Sequence, residues 1–395
     1  MPNQYAQSHT LDDDLGKAID QTSQVVCDAI EGTIDLVFAF AAGHSPEEFD
    51  RWMTTIRKKT GARVVLGCSC EAAIGGEFEL ENATSLSLWA AKIPLAQITP
   101  MHLTYQRSAG TAAIVGWPEA TDGDWPDDSS LLLLGEPFGF PIDVLLERFN
   151  EDRPGVRIAG GMASGAQVPG QSRLLLDDQT FEEGVVAIRV SGTPIRMLVS
   201  QGCRPIGEPM VITGAERNII ESLGGRKALD VIYDLFRTLP TQEQRLFQNG
   251  LHVGRVINEY QEKFEYGDFL IRNVIGIDKE QKSISIGDYV RPGQTCQFHI
   301  RDDQSAGFEF AQILAKTVAD RPFAAGLLFT CNGRGTHLFP EPHHDAQCIQ
   351  SANISEKDST AAKVPLAGFF AAGEIGPVGN LNFLHGFTAS LLVFE

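Results

Sequence analysis

Residues 34–70 read IDLVFAFAAGHSPEEFDRWMTTIRKKTGARVVLGCSC, and the alternation of textures within them decides the fold class. The apolar run IDLVFAFAA is followed by Ser45, Pro46 and Glu48: an N-cap hydroxyl, a proline at the first helical position and a glutamate that closes a capping box. Phe49, Trp52, Met53 and Ile56 then recur at helical spacing, so the helix has one apolar face. A second apolar run, ARVVLGCSC, comes next. Strand, helix, strand is the rhythm of a crossover connection and predicts two parallel strands.

Outward from this stretch the texture changes. Residues 12–30 carry a helical pattern. TSLSLWAAKI (84–93), AQITPMHLTY (96–105), SRLLLDD (172–178), EGVVAIRVSG (183–192) and PIRMLVSQG (194–202) succeed one another as short strands, as in an antiparallel meander. Near Gly224 and Gly225 strands give way to an amphipathic helix. DFLIRNVIGID, SISIGDYV and TCQFHIRD read as further strands, and 302–322 as a helix with Phe310, Ile313, Leu314 and Val318 on one face. Residues 341–364 are polar enough to predict a mobile surface loop. No repeat of fixed period is found. The expected class is α+β, two domains of mixed, largely antiparallel sheets flanked by helices: a helical lead-in over 1–29, one domain over 30–222 and one over 223–395.

Composition narrows the function. The chain has 395 residues, and 51 Asp and Glu against 32 Lys and Arg give a net charge of −19, spread along its length. Such a surface repels phosphate backbones and anionic membranes, so nucleic acid is excluded as a partner. No apolar stretch approaches the roughly 20 residues of a membrane span. Seven cysteines at irregular spacing, with no leader-like N-terminus, predict a reduced cytoplasmic protein.

One local design recurs. An apolar strand ends abruptly in small residues at VVLGCSC (64–70), LLLLGEPFG (131–139), RIAGGMASG (157–165), LLFTCNGRG (327–335) and GFFAAGEIGP (368–377). Glycine at a strand exit lets a ligand approach the backbone and exposes N–H groups; it also simply fits tight turns. Together the five exits are expected to line one pocket. Charged residues stand within this setting: Arg334 between Gly333 and Gly335, Glu374 in AAGEIGP, and Arg301 with Asp302 at the end of TCQFHIRD. An arginine fork receives a carboxylate and a nearby glutamate an ammonium group, which suits a zwitterion. The alternative is that Arg334 and Glu374 pair with each other as a buried bridge.

GLLFTCNGRGTHLF (326–339), PLAGFFAAGEIGPVGNLNFLHGFTASL (365–391), GDFLIRNVIGID (267–278) and VSQGCRPIGEPMVITGAERNII (199–220), with VVLGCSCEAAIGGEFE and IAGGMASG upstream, resemble the FIST domain proteins, in which a FIST N module precedes a FIST C module. The resemblance runs from about residue 30 to the end. It implies a sensory, small-ligand-binding module of signal transduction, with an amino acid or small carboxylate as ligand, no cofactor, and a partner protein as the output. By matching motif it carries over Cys331, Arg334 and Gly335 from CNGRG, Glu374 and Gly376 from GEIGP, Arg301 and Asp302, Cys68 and Glu71 from GCSCEAAIGGE, and His385 from LHGFT.

Three other readings remain. Cys331 near His337 or His385 would make a cysteine-dependent enzyme, although no GxSxG, Walker loop or GxGxxG fingerprint is present. Cys331, His337, His343, His344 and Cys348 fall within eighteen residues, without the spacing of a zinc site. A ligand-free interaction scaffold is the last.

Overall fold

Leu36–Ala42 and Val64–Cys70 are buried along their whole length, as expected of parallel strands covered on both faces, and they pair parallel from Leu36↔Val64 to Ala42↔Cys70. The helix between them begins at Pro46, with the Ser45–Glu48 capping box formed in both directions. The computed structural model describes residues 2–108, 111–261, 264, 267–353 and 363–395. Its class is α+β, with mixed sheets and flanking helices. The chain divides into two compact units, Met1–Val199 with Phe310–Glu395, and Ser200–Glu309.

Among the described residues, three sheets build the larger unit, and they follow one plan. Each contains the first and last strands of a sequence module side by side, then a parallel pair, then a hairpin. In the first sheet these are Gln4–Thr10, Ser85–Lys92, the pair Leu36–Ala42 and Val64–Cys70, and the hairpin Leu174–Leu176 with Gln179–Phe181. The second has Gln97–Ser108, Val185–Ser191, the pair Ser130–Gly135 and Arg157–Met162, and the hairpin Glu374–Val378 with Leu381–His385; Thr111–Val115 extends its outer edge. The third has Ile195–Ser200, Ala389–Phe394, the pair Ala325–Cys331 and Leu366–Ala371, and the hairpin Ala73–Gly75 with Phe78–Leu80.

No module keeps its own hairpin. The hairpin after Val64–Cys70 completes the third sheet, the one after Arg157–Met162 the first, and the one after Leu366–Ala371 the second. The unit is thus three modules in one chain, joined in a cycle by exchanged hairpins. The repeat has no fixed period because Thr111–Val115 enlarges the second module, and the third is interrupted by the whole of Ser200–Glu309.

Three glycines record the plan. Gly67, Gly160 and Gly368 face Ala39, Leu133 and Leu328 across the three parallel pairs. A Cβ at these positions would lie 2.4, 1.8 and 1.8 Å from the facing carbonyl oxygen. The strands approach so closely that no side chain fits there. The centre is apolar: Phe40 of the first module and Phe329 and Phe369 of the third lie 5.2–6.4 Å apart, two of the three contacts edge-on, each ring worth roughly 1.5–3 kcal/mol of burial.

Two expectations are corrected. The strands between 84 and 202 do not form a meander: they are dealt out among the three sheets, because alternation fixes that a segment is a strand but not its partner. Nor is 341–364 a loop throughout, since His344–Asn353 is a helix that buries Asp345, Ala346, Ile349 and Gln350; residues 354–362 lie outside the described residues. The N-terminal helix, Leu15–Ala29, follows a strand, Gln4–Thr10, that pairs with Ser85–Lys92.

The smaller unit is a closed antiparallel barrel. Arg204–Glu216 pairs with Thr295–Ile300 on one side and Ile219–Leu223 on the other. His252–Val256, Phe269–Asp278 and Ser283–Ile286 complete the ring, whose core includes Ile206, Ile212, Val253, Ile286 and Phe298.

Candidate functional site

The ends of the parallel strands meet. Asn332 N–H donates to Ala371 O (3.2 Å), Ala372 N–H to Met162 O (3.0 Å), Met162 N–H to Gly373 O (2.8 Å), Ala163 N–H to Gly135 O (2.8 Å) and Gly165 N–H to Ser69 O (3.4 Å). Ser164 Oγ accepts from Glu71 N–H (2.9 Å) and donates to Phe370 O. All five small-residue exits of the sequence therefore belong to one hydrogen-bonded junction.

Around it, each exchanged hairpin clasps the crossover helix of the sheet it completes. In the first sheet Arg173, leading into its hairpin, pairs with Asp50 of helix Pro46–Trp52 at 3.0 Å and with Glu182 at 3.0 Å. In the second, Asn382 and Asn150 of helix Ile142–Asp152 bond each other through side chains and backbone at 2.8–3.1 Å. In the third, Oε1 of Glu79 accepts Asp345 N–H (2.9 Å) and Ala346 N–H (3.0 Å) in the first turn of His344–Asn353.

The third clasp is sealed and highly charged. Arg334, 0% exposed, grips Asp345 with both arms of its fork, Nε to Oδ2 at 2.7 Å and Nη2 to Oδ1 at 2.8 Å, and packs against the Phe339 ring at 5.2 Å. Thr330 Oγ1 and His344 Nδ1 also reach Asp345, each at 3.1 Å. Burial opposes ionisation of Asp345, yet the guanidinium outweighs it and holds the carboxyl well below the usual range. Burial likewise opposes the charge of His344, but its bonds to Asp345 and Cys348 push it up to about 9.

Glu79 and Glu374 go the other way. Burial, reinforced for Glu79 by the Asp345 charge, raises each to about 8, against the pull of Arg334. Glu374 is 0% exposed; its Oε2 accepts the Thr388 N–H (3.0 Å) and hydroxyl (2.9 Å), and the Cys331 thiol lies beside it and favours its charged form. Among the described residues, Oε1 of Glu374 and Oδ1 of Asn332 are buried acceptors that receive no N–H or O–H.

Arg334 thus bridges to Asp345, a residue expected on a surface loop, and acts on Glu374 only through space. Gly335 has φ +54°, and a Cβ there would meet Glu81 Oε1 at 2.5 Å; Glu81 accepts the Thr336 N–H (3.0 Å) and hydroxyl (2.8 Å). A Cβ on Gly376 would lie 2.4 Å from Val199, and Gly376 O bonds His385 Nε2 at 3.0 Å. Cys331 is half-buried, with Gly333 N–H on its sulfur at 3.4 Å. Cys68 is a core thiol that burial pushes well up. Glu71 joins the junction by its backbone while its side chain is exposed.

Arg301 and Asp302 belong to the boundary of the barrel unit. Asp302 caps helix Asp303–Asp320 through Ser305 N–H (2.7 Å) and pairs with Arg204 (3.0 Å). Arg301 adds to the burial that lowers His252 to about 4. Among the described residues no group of His, Cys, Asp and Glu is arranged to hold a metal ion, and no helix is long and apolar enough to cross a membrane. Elsewhere, an open cavity of about 760 Å³ lies between Tyr105, Trp117, Trp125 and Phe149, and one of about 220 Å³ borders Glu136, Phe138 and Gly139 at one strand exit.

The profile of the FIST N domain matches residues 35–226 and that of the FIST C domain residues 228–377. The chain belongs to the FIST family. Similar proteins include an uncharacterized protein of Mycobacterium tuberculosis, 38% identical over 345 residues (87% of this chain and 86% of that protein), and one of Mycobacterium bovis, 38% identical over 333 residues (84% and 82%). FIST domains are generally described as sensory, signal-transduction domains. In this FIST protein the FIST C match begins inside the barrel and takes in the third clasp, while Glu79 lies in the FIST N match. The clasp therefore draws on both modules.

Proposed function

We propose that this FIST protein is a sensor that binds a small amino-acid-like ligand at the strand-exit junction and reports it to a partner protein. The observation that carries the reading is the contrast among three equivalent clasps, of which only the third has a sealed ion pair and a buried carboxyl raised to about 8, with Glu374 of the neighbouring hairpin buried beside it and raised likewise. Groups so displaced from their ordinary values by burial and a specific charge partner cluster at functional sites. Oδ1 of Asn332, which receives no N–H or O–H, and the Glu374 carboxyl near it suit an ammonium group, which brings three donors. Cys331 and Gly333, both half-buried, form the approach. Arg334, occupied by Asp345, holds the loop in place rather than receiving the ligand's carboxylate. The thiols Cys68, Cys70 and Cys296, buried and outside any disulfide, fit a reducing, cytoplasmic setting.

The test is thermal unfolding of the wild type and Glu374→Gln with a panel of amino acids and small carboxylates. A ligand at about 100 times its Kd adds roughly 2.7 kcal/mol, a rise of several degrees. One compound is expected to raise the wild type and leave the folded variant unmoved, with affinity growing as pH climbs from about 6.5 towards 8 and Glu374 loses its proton. A panel that shifts neither protein, or both alike, overturns the reading and leaves the clasp structural.

A further inference from the structure

Cys348 lies one helical turn beyond His344, and its Sγ is 3.9 Å from Nε2 of that ring. The other ring nitrogen, Nδ1, is 3.1 Å from Asp345 Oδ1. Asp345 cannot swing away, since Arg334 holds both its oxygens and Thr330 one of them. Nor can the imidazole turn freely: it lies flat on Phe339, ring centroids 3.6 Å apart and planes within 8°. A buried carboxylate, a histidine fixed in orientation and a sulfur therefore stand in series, and the sulfur, unlike the carboxylate, belongs to a half-buried residue. This is the order in which a nucleophile, its acid–base partner and an orienting group are arranged.

We propose that Cys348 is a reactive thiol, with His344 as its acid–base partner and Asp345 as the positioning residue, and that it adds to α,β-unsaturated carbonyl compounds. The S–H proton leaves to water and the Nε2–H of the imidazolium steadies the sulfur anion. Sulfur then bonds to the β carbon while the carbon–carbon π pair moves towards the carbonyl. His344 Nε2 delivers a proton to the α carbon and regains one from water. The S–H has been added across the double bond, nothing is oxidised, and no further reactant is consumed. His344 suits the donor's part because it keeps its proton through neutral pH. The chemistry stands independently of the ligand reading above, which concerns Glu374 and Asn332.

N-ethylmaleimide, an unsaturated imide, is the probe, with iodoacetamide as an electrophile that needs no proton delivered. The full chain, its His344→Gln and Asp345→Asn variants and Cys348→Ser would be labelled from about pH 6 to 9 and the modified cysteine located by peptide mass. Labelling of wild-type Cys348 near pH 6.5 is expected to be about tenfold faster than in folded His344→Gln, with the loss greater for maleimide than for iodoacetamide. Equal rates in the two proteins, or label on Cys27 or Cys331 ahead of Cys348, overturn the proposal. Should His344→Gln not fold, the wild type decides: label on Cys348 ahead of the likewise half-buried Cys27 and Cys331 near pH 6.5 supports the proposal, and label on either of those first overturns it.

Discussion

The first and third clasps occupy the same place in two sheets, and in both an arginine pairs with an aspartate of the crossover helix, but the surroundings are opposite and Arg334, unlike Arg173, comes from its module's own strand exit. Arg173 is nearly buried, but its partners Asp50 and Glu182 are 39% and 59% exposed. Arg334 and Asp345 are sealed at 0% and 1%, with Glu79 and Glu374 buried close by. Water screens the first pair and does most of the solvating. In the third every charge is answered by protein, so removing one member strands another. A common topology thus supports a clasp that merely joins parts and one whose protonation states are set by its surroundings.

The strongest test of the shared frame concerns the facing glycines. Gly160→Ala and Gly368→Ala each put a Cβ 1.8 Å from a carbonyl oxygen. Both should fail to fold or lose about 3 kcal/mol or more by chemical denaturation. A well-tolerated alanine at either position would break the equivalence of the modules. Next in size is the contrast of the clasps themselves. Asp345→Ala leaves the Arg334 guanidinium buried without its carboxylate and should cost about 3–5 kcal/mol, against about 1 kcal/mol or less for Asp50→Ala. Equal losses would mean that burial does not separate them.

A smaller effect sharpens the comparison through pH. Glu79 and Glu374 have folded values near 8 against an ordinary 4.5, so the folded state holds their protons more tightly. Their contribution to stability is full below about 4.5 and is lost as pH rises towards 8. His344, raised from 6.5 to about 9, adds a loss in the same direction over that interval. Asp345 opposes only in acid, its contribution falling away below its ordinary 3.8. His252 and His299, lowered to about 4 chiefly by burial, oppose this between about pH 4 and 6.5, so melting temperature should decline between about pH 6.5 and 9, and Glu374→Gln should flatten the part of the slope below pH 8. An unchanged slope in that variant would show that Glu374 does not titrate in this range.

Much of this was legible in the chain. The capping box at Ser45 and Glu48, the parallel pair it separates and the apolar face of Asp303–Asp320 follow from local pattern, because caps and periodicity act within a few residues. The FIST modules were recognisable from motifs such as CNGRG and GEIGP. The five small-residue exits were visible too, as the trace of a repeat whose period had been erased by insertion. Asp345 was not: HHDAQC is polar and reads as surface, and only its position under Glu79 and beside Arg334, 266 and 11 residues away, buries it. Glu79 stood at the end of a quoted motif, but nothing local distinguishes it from Glu71, whose side chain faces solvent.

The sequence by itself determined most of the strands and helices, though not the strand Gln4–Thr10 or the helix His344–Asn353, and which small residues crowd the strand ends, since these depend on backbone sterics and short-range hydrogen bonds. Tertiary structure alone decided which hairpin completes which sheet, and hence which carboxylates meet Arg334 in a dry place. Strand pairing and the solvation of a charge depend on partners as far as 266 residues away, and those partners are chosen only when the three modules close.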